Sequence, residues 1–162
     1  MQLYPPVFAE LNKRQVRYVV VGGLAAVMHG RLRLTMDADI VVALDEANAR
    51  AAVEALQAIG LIPRLPVDPL QFALEEVRKN WVAEKHLMVF TMIHPSNPLF
   101  AVDLFVDPPI TFQELSDGVI IKELDGVPVP VCSVAHLIRM KRLSARPEDL
   151  ADIQILEDIH GA

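Results

Sequence analysis

A single cysteine, Cys132, leaves this chain without a partner for an internal disulfide and without a thiolate set for a zinc site. Aromatic side chains are only 6% of the residues, too few to build a stacking platform for single-stranded nucleic acid. Positive charge is in deficit as well. Fifteen Lys and Arg face twenty-one Asp and Glu, a net charge of −6, which excludes a broad nonspecific nucleic-acid-binding face and leaves room only for a local basic patch. The longest uncharged runs, Tyr18 to Gly30 and Leu87 to Val102, are too short or too broken by polar residues and proline to span a bilayer. Met1 to Glu10 has neither the basic start nor the apolar block of a secretory leader. A reducing, cytoplasmic setting with no membrane partner is therefore expected. There is no internal repeat and no low-complexity tract.

What is present is an ordinary globular composition, 52% hydrophobic and 22% charged over 162 residues. That length suits one domain, 1–162, with enough core to need no staples. Val16 to Gly22 (VRYVVVG) is short and β-branched and reads as a buried strand. Leu24 to His29 reads as a short helix stopped by Gly30, and Met36 to Ala43 (MDADIVVA) as a second strand. Asp45 to Ile59 has apolar residues at helical spacing, a capping aspartate and a closing Gly60. Pro63, Pro66 and Pro69 mark a loop before a helix expected over Leu70 to Asn80. Lys85 to Ile93 and Phe100 to Val106 read as strands joined by the hairpin loop His94 to Pro98. Val119 to Leu124 and Val127 to Val131 read as a second hairpin across Asp125-Gly126. Ser133 caps a helix to about Leu143, and Pro147 opens a last one. The fold class expected is α/β (α+β): a mixed β-sheet with helices packed mainly on one face. A short helical tail, 133–162, packs on it.

The chemistry concentrates in Gly22 to Val42 (GGLAAVMHGRLRLTMDADIVV). Gly22 and Gly23 close a strand and open a helix, where a bare backbone can approach a ligand and free amides suit a phosphate. Read alone, the pair is only a strand-to-helix turn. Asp37 and Asp39 sit two apart in a strand, hence on one face, and two such anions repel unless a cation lies between them. Hard carboxylate oxygens of this kind suit Mg²⁺ together with substrate phosphates. Asp103 is an isolated acid in another apolar strand (AVDLFV), costly to bury without a partner. If its strand lies beside the first, three acids surround two metal ions, an arrangement suited to in-line phosphoryl displacement. The plainer readings are a solvated strand end for Asp37 and Asp39 and an arginine partner for Asp103. Trp81, Met88 and Met92 read as core or edge packing, Cys132 as a small buried residue, and the histidines as structural. Asp149 and Asp152 read as serving the start of the last helix, with one of them available to orient Lys141.

The run GG…HGR-x-R-x-T-x-D-x-D, followed by an isolated acid in VDLF, resembles the nucleotidyltransferases of the DNA polymerase β superfamily. It is most similar to the short bacterial branch that includes the AbiEii-type toxins of type IV toxin–antitoxin systems. The tail SVAHLIRMKRLSARPEDLADIQILEDI resembles that branch too, so the likeness touches most of the chain. The resemblance implies that Gly22 and Gly23 approach a nucleoside triphosphate, and that Asp37, Asp39 and Asp103 hold two Mg²⁺ ions, or Mn²⁺ in their place. Arg33 and Lys141 would face phosphate oxygens, with Arg31 and Arg146 as weaker candidates. The implied reaction moves a nucleoside monophosphate onto an acceptor hydroxyl on transfer RNA, a protein or a small molecule. A cognate toxin or antitoxin is an implied partner. Many superfamily members carry a serine directly after the first glycine, and here that position is Gly23. The alternative expectation is a catalytically silent protein of the same fold, acting as an antitoxin or regulatory subunit.

Overall fold

In the computed structural model, which describes residues 4–161, a seven-stranded mixed sheet runs in the order β3-β4-β5-β2-β1-β7-β6. Of the N-terminal segment discussed above, Met1 to Leu3 lie outside the described residues, as does Ala162 at the end of the tail.

The first described element is a helix, α1 (Tyr4–Lys13), not expected from the sequence. Its prolines fall in the first turn, where their missing N–H groups have no helical acceptor to lose. Tyr4, Val7, Phe8 and Leu11 form the buried stripe. Strand β1 (Tyr18–Val21) is buried throughout and runs directly into α2 (Gly22–Met28), one residue pair earlier than expected. Strand β2 (Asp37–Val42) returns antiparallel to β1, pairing Val21 with Asp39. Helix α3 (Glu46–Ala58) is capped by Asp45, whose side chain accepts from the Asn48 amide. Ala49, Ala52 and Ala55 make up half of its buried face and let it lie close to the core. Buried Asn48 ties the strand ends together: its side-chain nitrogen donates to the carbonyls of Arg17 and Ala43, and its oxygen accepts from Arg17 N.

The single helix expected over Leu70 to Asn80 is divided. A 3₁₀ turn covers Pro69–Ala73, Leu74 is extended, and α4 spans Glu75–Lys85. Asp68 caps the short turn by accepting from Leu70 N at 3.0 Å. Buried Arg78 then donates to the Phe72 carbonyl at 2.6 Å and to Leu44 O at 3.1 Å. The first bond satisfies a carbonyl that the broken helix leaves open, and the second ties α4 to the loop after β2. Trp81 stacks on Phe90 at 5.2 Å, and Phe72 on the same ring at 5.8 Å, as core.

Strand β3 (Ile62–Pro63) is a two-residue edge on β4 (Val89–His94). β4 forms the expected hairpin with β5 (Asn97–Phe105). β5 then lies parallel to β2, in register Asp37 to Ala101 and Asp39 to Asp103. Helix α5 (Phe112–Asp117), capped by Thr111, is another short element the sequence reading did not assign. The second hairpin, β6 (Ile120–Leu124) with β7 (Val127–Val131), joins the sheet through β7 beside β1. Helices α6 (Val134–Ser144) and α7 (Pro147–His160) form the tail and pack on each other, and α6 also meets α2. None of the described helices is long and apolar enough to cross a membrane.

Candidate active site

The parallel pairing of β2 with β5 brings together what lies 64 residues apart in sequence. Asp39 and Asp103 are direct neighbours across that pair, and Asp37, two residues before Asp39, shares their face. Thr91 stands opposite Asp103 on β4 and donates to its Oδ1 at 2.5 Å. The arginine partner considered for Asp103 is not among the ion pairs of the described residues, and neither Asp37 nor Asp39 has one.

Asp39 is where the strain concentrates. Burial first, then the anions Asp103 and Asp37, push its carboxyl up to about 7, and a hydrogen bond shared with Asp103 pushes the same way. Asp37 is raised as well, by burial and by Asp103, with Arg64 opposing. Gly22 makes room for this crowding. A Cβ on Gly22 would stand 2.1 Å from Asp39 Oδ2, and the residue has φ of +66°. Only glycine meets both demands.

The carboxylates line a cleft of about 580 Å³, within the usual size range of small-ligand sites. Gly22, Gly23, Arg33 and Thr35 line the same cleft from the strand side, and Lys141, Ser144, Arg146 and Asp149 from the tail. Met88, Phe105, Leu137, Met140 and Leu143 give it an apolar side. Of the residues expected in core or edge packing, Met88 is half-exposed at the cleft, while Met92 is fully buried. Helix α2 has only seven residues, so its partial charge adds little, and the glycine backbone must do most of what that helix start offers.

The basic residues arrive with partners attached. Asp152, on α7 and 1% exposed, takes Lys141 Nζ at 2.8 Å, Arg31 Nε at 3.0 Å and Arg33 NH1 at 2.5 Å. Lys141, only 5% exposed, also lies 3.5 Å from Asp149. Arg31 does not line the cleft, whereas Arg33, Lys141 and Arg146 do. Arg146 is held by Asp149 at 3.0 Å, and Asp149 also takes the Ser144 hydroxyl and the Arg146 amide. Burial raises the Asp149 and Asp152 carboxyls, but the hydrogen bonds and cations around them outweigh it, and both end below the ordinary value. Of the roles read for these two acids, capping belongs to Asp149, and both acids hold Lys141. Burial pushes the Cys132 thiol up to about 12, which removes it as a nucleophile near neutral pH.

The donor set fits a hard divalent cation. Every donor on the floor is a carboxylate oxygen, and Arg146 lowers the Asp39 carboxyl less than burial and the two neighbouring acids raise it. Among the described residues no three His, Cys, Asp or Glu groups converge as a ready-made cage. Ions here would rest on one or two carboxylates and complete their shells with water and substrate oxygens, as Mg²⁺ does.

No protein-family model matches the sequence, and no curated protein matches it either. The fold is similar to that of solved nucleotidyltransferases. The antibiotic-resistance factor ANT(2'')-Ia in solution aligns with TM-score 0.61 and 14% identity, over 97% of this chain and 82% of that one. A crystal structure of the lincosamide antibiotic adenylyltransferase LnuA with lincomycin bound gives 0.59 and 16%, over 92% and 90%. A nucleotidyltransferase-like antigenic protein from Paracoccidioides brasiliensis gives 0.60 and 17%, over 98% and 75%. At these identities the likeness is one of fold.

Proposed function

We propose that this chain is a metal-dependent nucleotidyltransferase that moves a nucleoside monophosphate from a nucleoside triphosphate to an acceptor hydroxyl, releasing pyrophosphate. The observation that carries the reading is the in-register pair Asp39 and Asp103, with Asp37 on the same face, set against an obligate glycine. Asp37, Asp39 and Asp103 would hold two Mg²⁺ ions. When bound, such ions neutralise charge on the attacking and leaving oxygens of an in-line displacement. Asp103, whose carboxylate accepts from the Thr91 hydroxyl, would take the proton of the attacking hydroxyl. Gly22 and Gly23 let the triphosphate come against the main chain. Arg33 and Lys141 supply positive charge along it, steadied by Asp152, with Arg146 at the rim. Most of the rate enhancement then comes from positioning and charge complementarity. The fold likeness to an antibiotic adenylyltransferase supports a nucleotidyl group as the group transferred.

Within this reading, the sequence motifs favour the AbiEii-type branch and a cytoplasmic toxin–antitoxin role, with transfer RNA, a protein or a small molecule as acceptor. Incubating the protein with Mg²⁺ and each α-labelled nucleoside triphosphate, with cell extract as acceptor source, tests the activity. Label should pass to an acceptor, and Asp39→Ala should abolish the transfer. Nucleotide binding that needs no divalent ion and survives Asp37→Ala with Asp39→Ala overturns the reading.

One observation favours the second reading, a silent interaction protein. Arg31, Arg33 and Lys141 are already paired with Asp152. A stable partner recovered with the protein, and no label transfer when the two are recombined, would select it.

A further inference from the structure

The cleft wall over Gly23 holds a hydroxyl and a guanidinium where a side chain would otherwise stand. A Cβ on Gly23 would meet Thr35 Oγ1 at 3.1 Å and Arg33 NH2 at 3.6 Å. Position 23 offers only backbone, and its neighbours fill the role of a side chain. The connector between α2 and β2 explains why they can. Arg31, Arg33 and Thr35 are part-buried while Leu32 and Leu34, between them, are 90% and 94% exposed. This alternation turns Arg33 and Thr35 toward the cleft, continuing the face that Asp37 and Asp39 use. The Tyr4 hydroxyl donates to Thr35 O at 3.1 Å and holds the connector in place.

Two hydroxyls line the cleft among the described residues, Thr35 and Ser144. Ser144 gives its proton to the Asp149 carboxylate at 2.5 Å. Thr35 gives its proton only to the neutral Asp37 carbonyl, at a long 3.2 Å. An anionic oxygen outcompetes such an acceptor, because charge-assisted hydrogen bonds are about twice as strong as neutral ones. Arg33 is prepared in the same way. Asp152 engages NH1, and NH2 is the nitrogen that faces Gly23. A guanidinium has donors enough for both.

We propose that Thr35 is a phosphate-binding residue of this cleft, donating its hydroxyl, beside Arg33, to the outgoing diphosphate portion of a nucleoside triphosphate lying against the Gly23 backbone. The assignment rests on the nucleotidyltransferase reading above. In that reading Asp39 and Asp103 take the transferred phosphoryl group. Thr35, two strand alternations upstream and beside Gly23, is left for the two phosphates that depart.

Calorimetry with Mg²⁺ tests this, using the tightest-binding of the four nucleoside triphosphates, its monophosphate and inorganic pyrophosphate. Thr35→Val should weaken triphosphate and pyrophosphate about tenfold, the loss of one hydrogen bond to a charged group, and leave the monophosphate unchanged. Thr35→Ser should stay close to the parent protein. Gly23→Ser with Thr35→Ala, which moves the hydroxyl across the notch, should recover part of the loss. Unchanged triphosphate binding by Thr35→Val, or equal weakening of the monophosphate, overturns the assignment alone. A parent protein that binds no nucleoside triphosphate with Mg²⁺ overturns the function and this assignment together.

Discussion

The residue that carries the most conflicting demands is Asp39, pressed against Gly22 on one side and Asp103 on the other. Replacing Gly22 tests the first contact. Alanine there must adopt φ of +66° and meet a carboxylate oxygen at 2.1 Å, so Gly22→Ala should destabilise the fold by about 2 kcal/mol or more and abolish transfer. In an Asp39→Ala background the 2.1 Å oxygen contact is gone and the backbone cost remains with a tight 3.0 Å contact to the residue 39 Cβ. Urea denaturation of the four proteins of that cycle should therefore show strong non-additivity. The second contact has a pH signature. In metal-free protein the folded state binds the Asp39 proton more tightly than the unfolded chain, with a value of about 7 against the ordinary 3.8. Its contribution to stability is complete below pH 3.8 and is lost as pH rises through 7. Thermal midpoints in EDTA should fall from pH 5 to pH 8 more steeply for the parent than for Asp39→Asn. Added Mg²⁺ should raise the midpoint at pH 8 far more than at pH 5. Equal slopes for the two proteins would remove Asp39 as the strained group. The spacing of Asp37 and Asp39 made their shared face readable from sequence, because strand alternation is local. The demand that Gly22 be bare was only half readable. A turn needs a glycine, but the neighbour that forbids a side chain lies 17 residues away and across a strand pair.

At the scale of elements, the tail is fastened by one buried carboxylate. Asp152 on α7 holds Lys141 from α6 and Arg31 and Arg33 from the connector before β2. Removing it leaves Lys141 buried with only Asp149 at 3.5 Å, whereas removing Lys141 leaves Asp152 with two arginines. Asp152→Ala should therefore cost about 3–5 kcal/mol, clearly more than Lys141→Ala. Urea midpoints for the pair decide the order. The Asp152 carboxyl is depressed, so its contribution is present above the ordinary carboxylate range and is lost as pH falls through its lower folded value. Asp152→Asn should accordingly flatten the fall in stability on the acid side of the ordinary carboxylate value. This junction was the least legible part of the molecule. The sequence marks Lys141 and the two arginines as available cations. An acid near Lys141 is readable, since Asp152 lies only 11 residues on, but the pairing that orients the two arginines joins positions more than a hundred residues apart and depends on how α7 docks. The missed helices have local reasons. α1 carries two prolines that resemble a loop signal, although both are tolerated in a first turn, and α5 is six residues long. The divided helix after Asp68 turned on one extended residue, Leu74, whose identity carries no break signal. Long periodic segments such as α3, and the two hairpins, were legible because their patterns are complete within themselves.

For the molecule as a whole, the cleft is a seam between two parts of the chain. One wall is the sheet with its β1-to-β2 connection, and the other is the α6–α7 tail. A ligand that bridges phosphate donors on one wall and Lys141 and Arg146 on the other binds only the assembled fold. It must therefore stabilise the assembly by mass action, by about 2.7 kcal/mol at a hundred times its dissociation constant. For a chain of 162 residues that is a rise in thermal midpoint of about 5–10 °C. The net charge of −6 sharpens the expectation. A polyanion gains nothing from the overall field and depends on local cations and on metal at the carboxylates. The stabilisation should vanish in EDTA and in Asp39→Ala, and it should weaken as salt rises. Hydrogen exchange gives the matching map. Nucleotide with Mg²⁺ should slow exchange in 22–37 and in 134–152 together, while the β6–β7 hairpin, away from the cleft, exchanges as before. Protection confined to one wall would mean that the tail is not part of the binding site, and the roles given to Lys141 and Arg146 would fall with it.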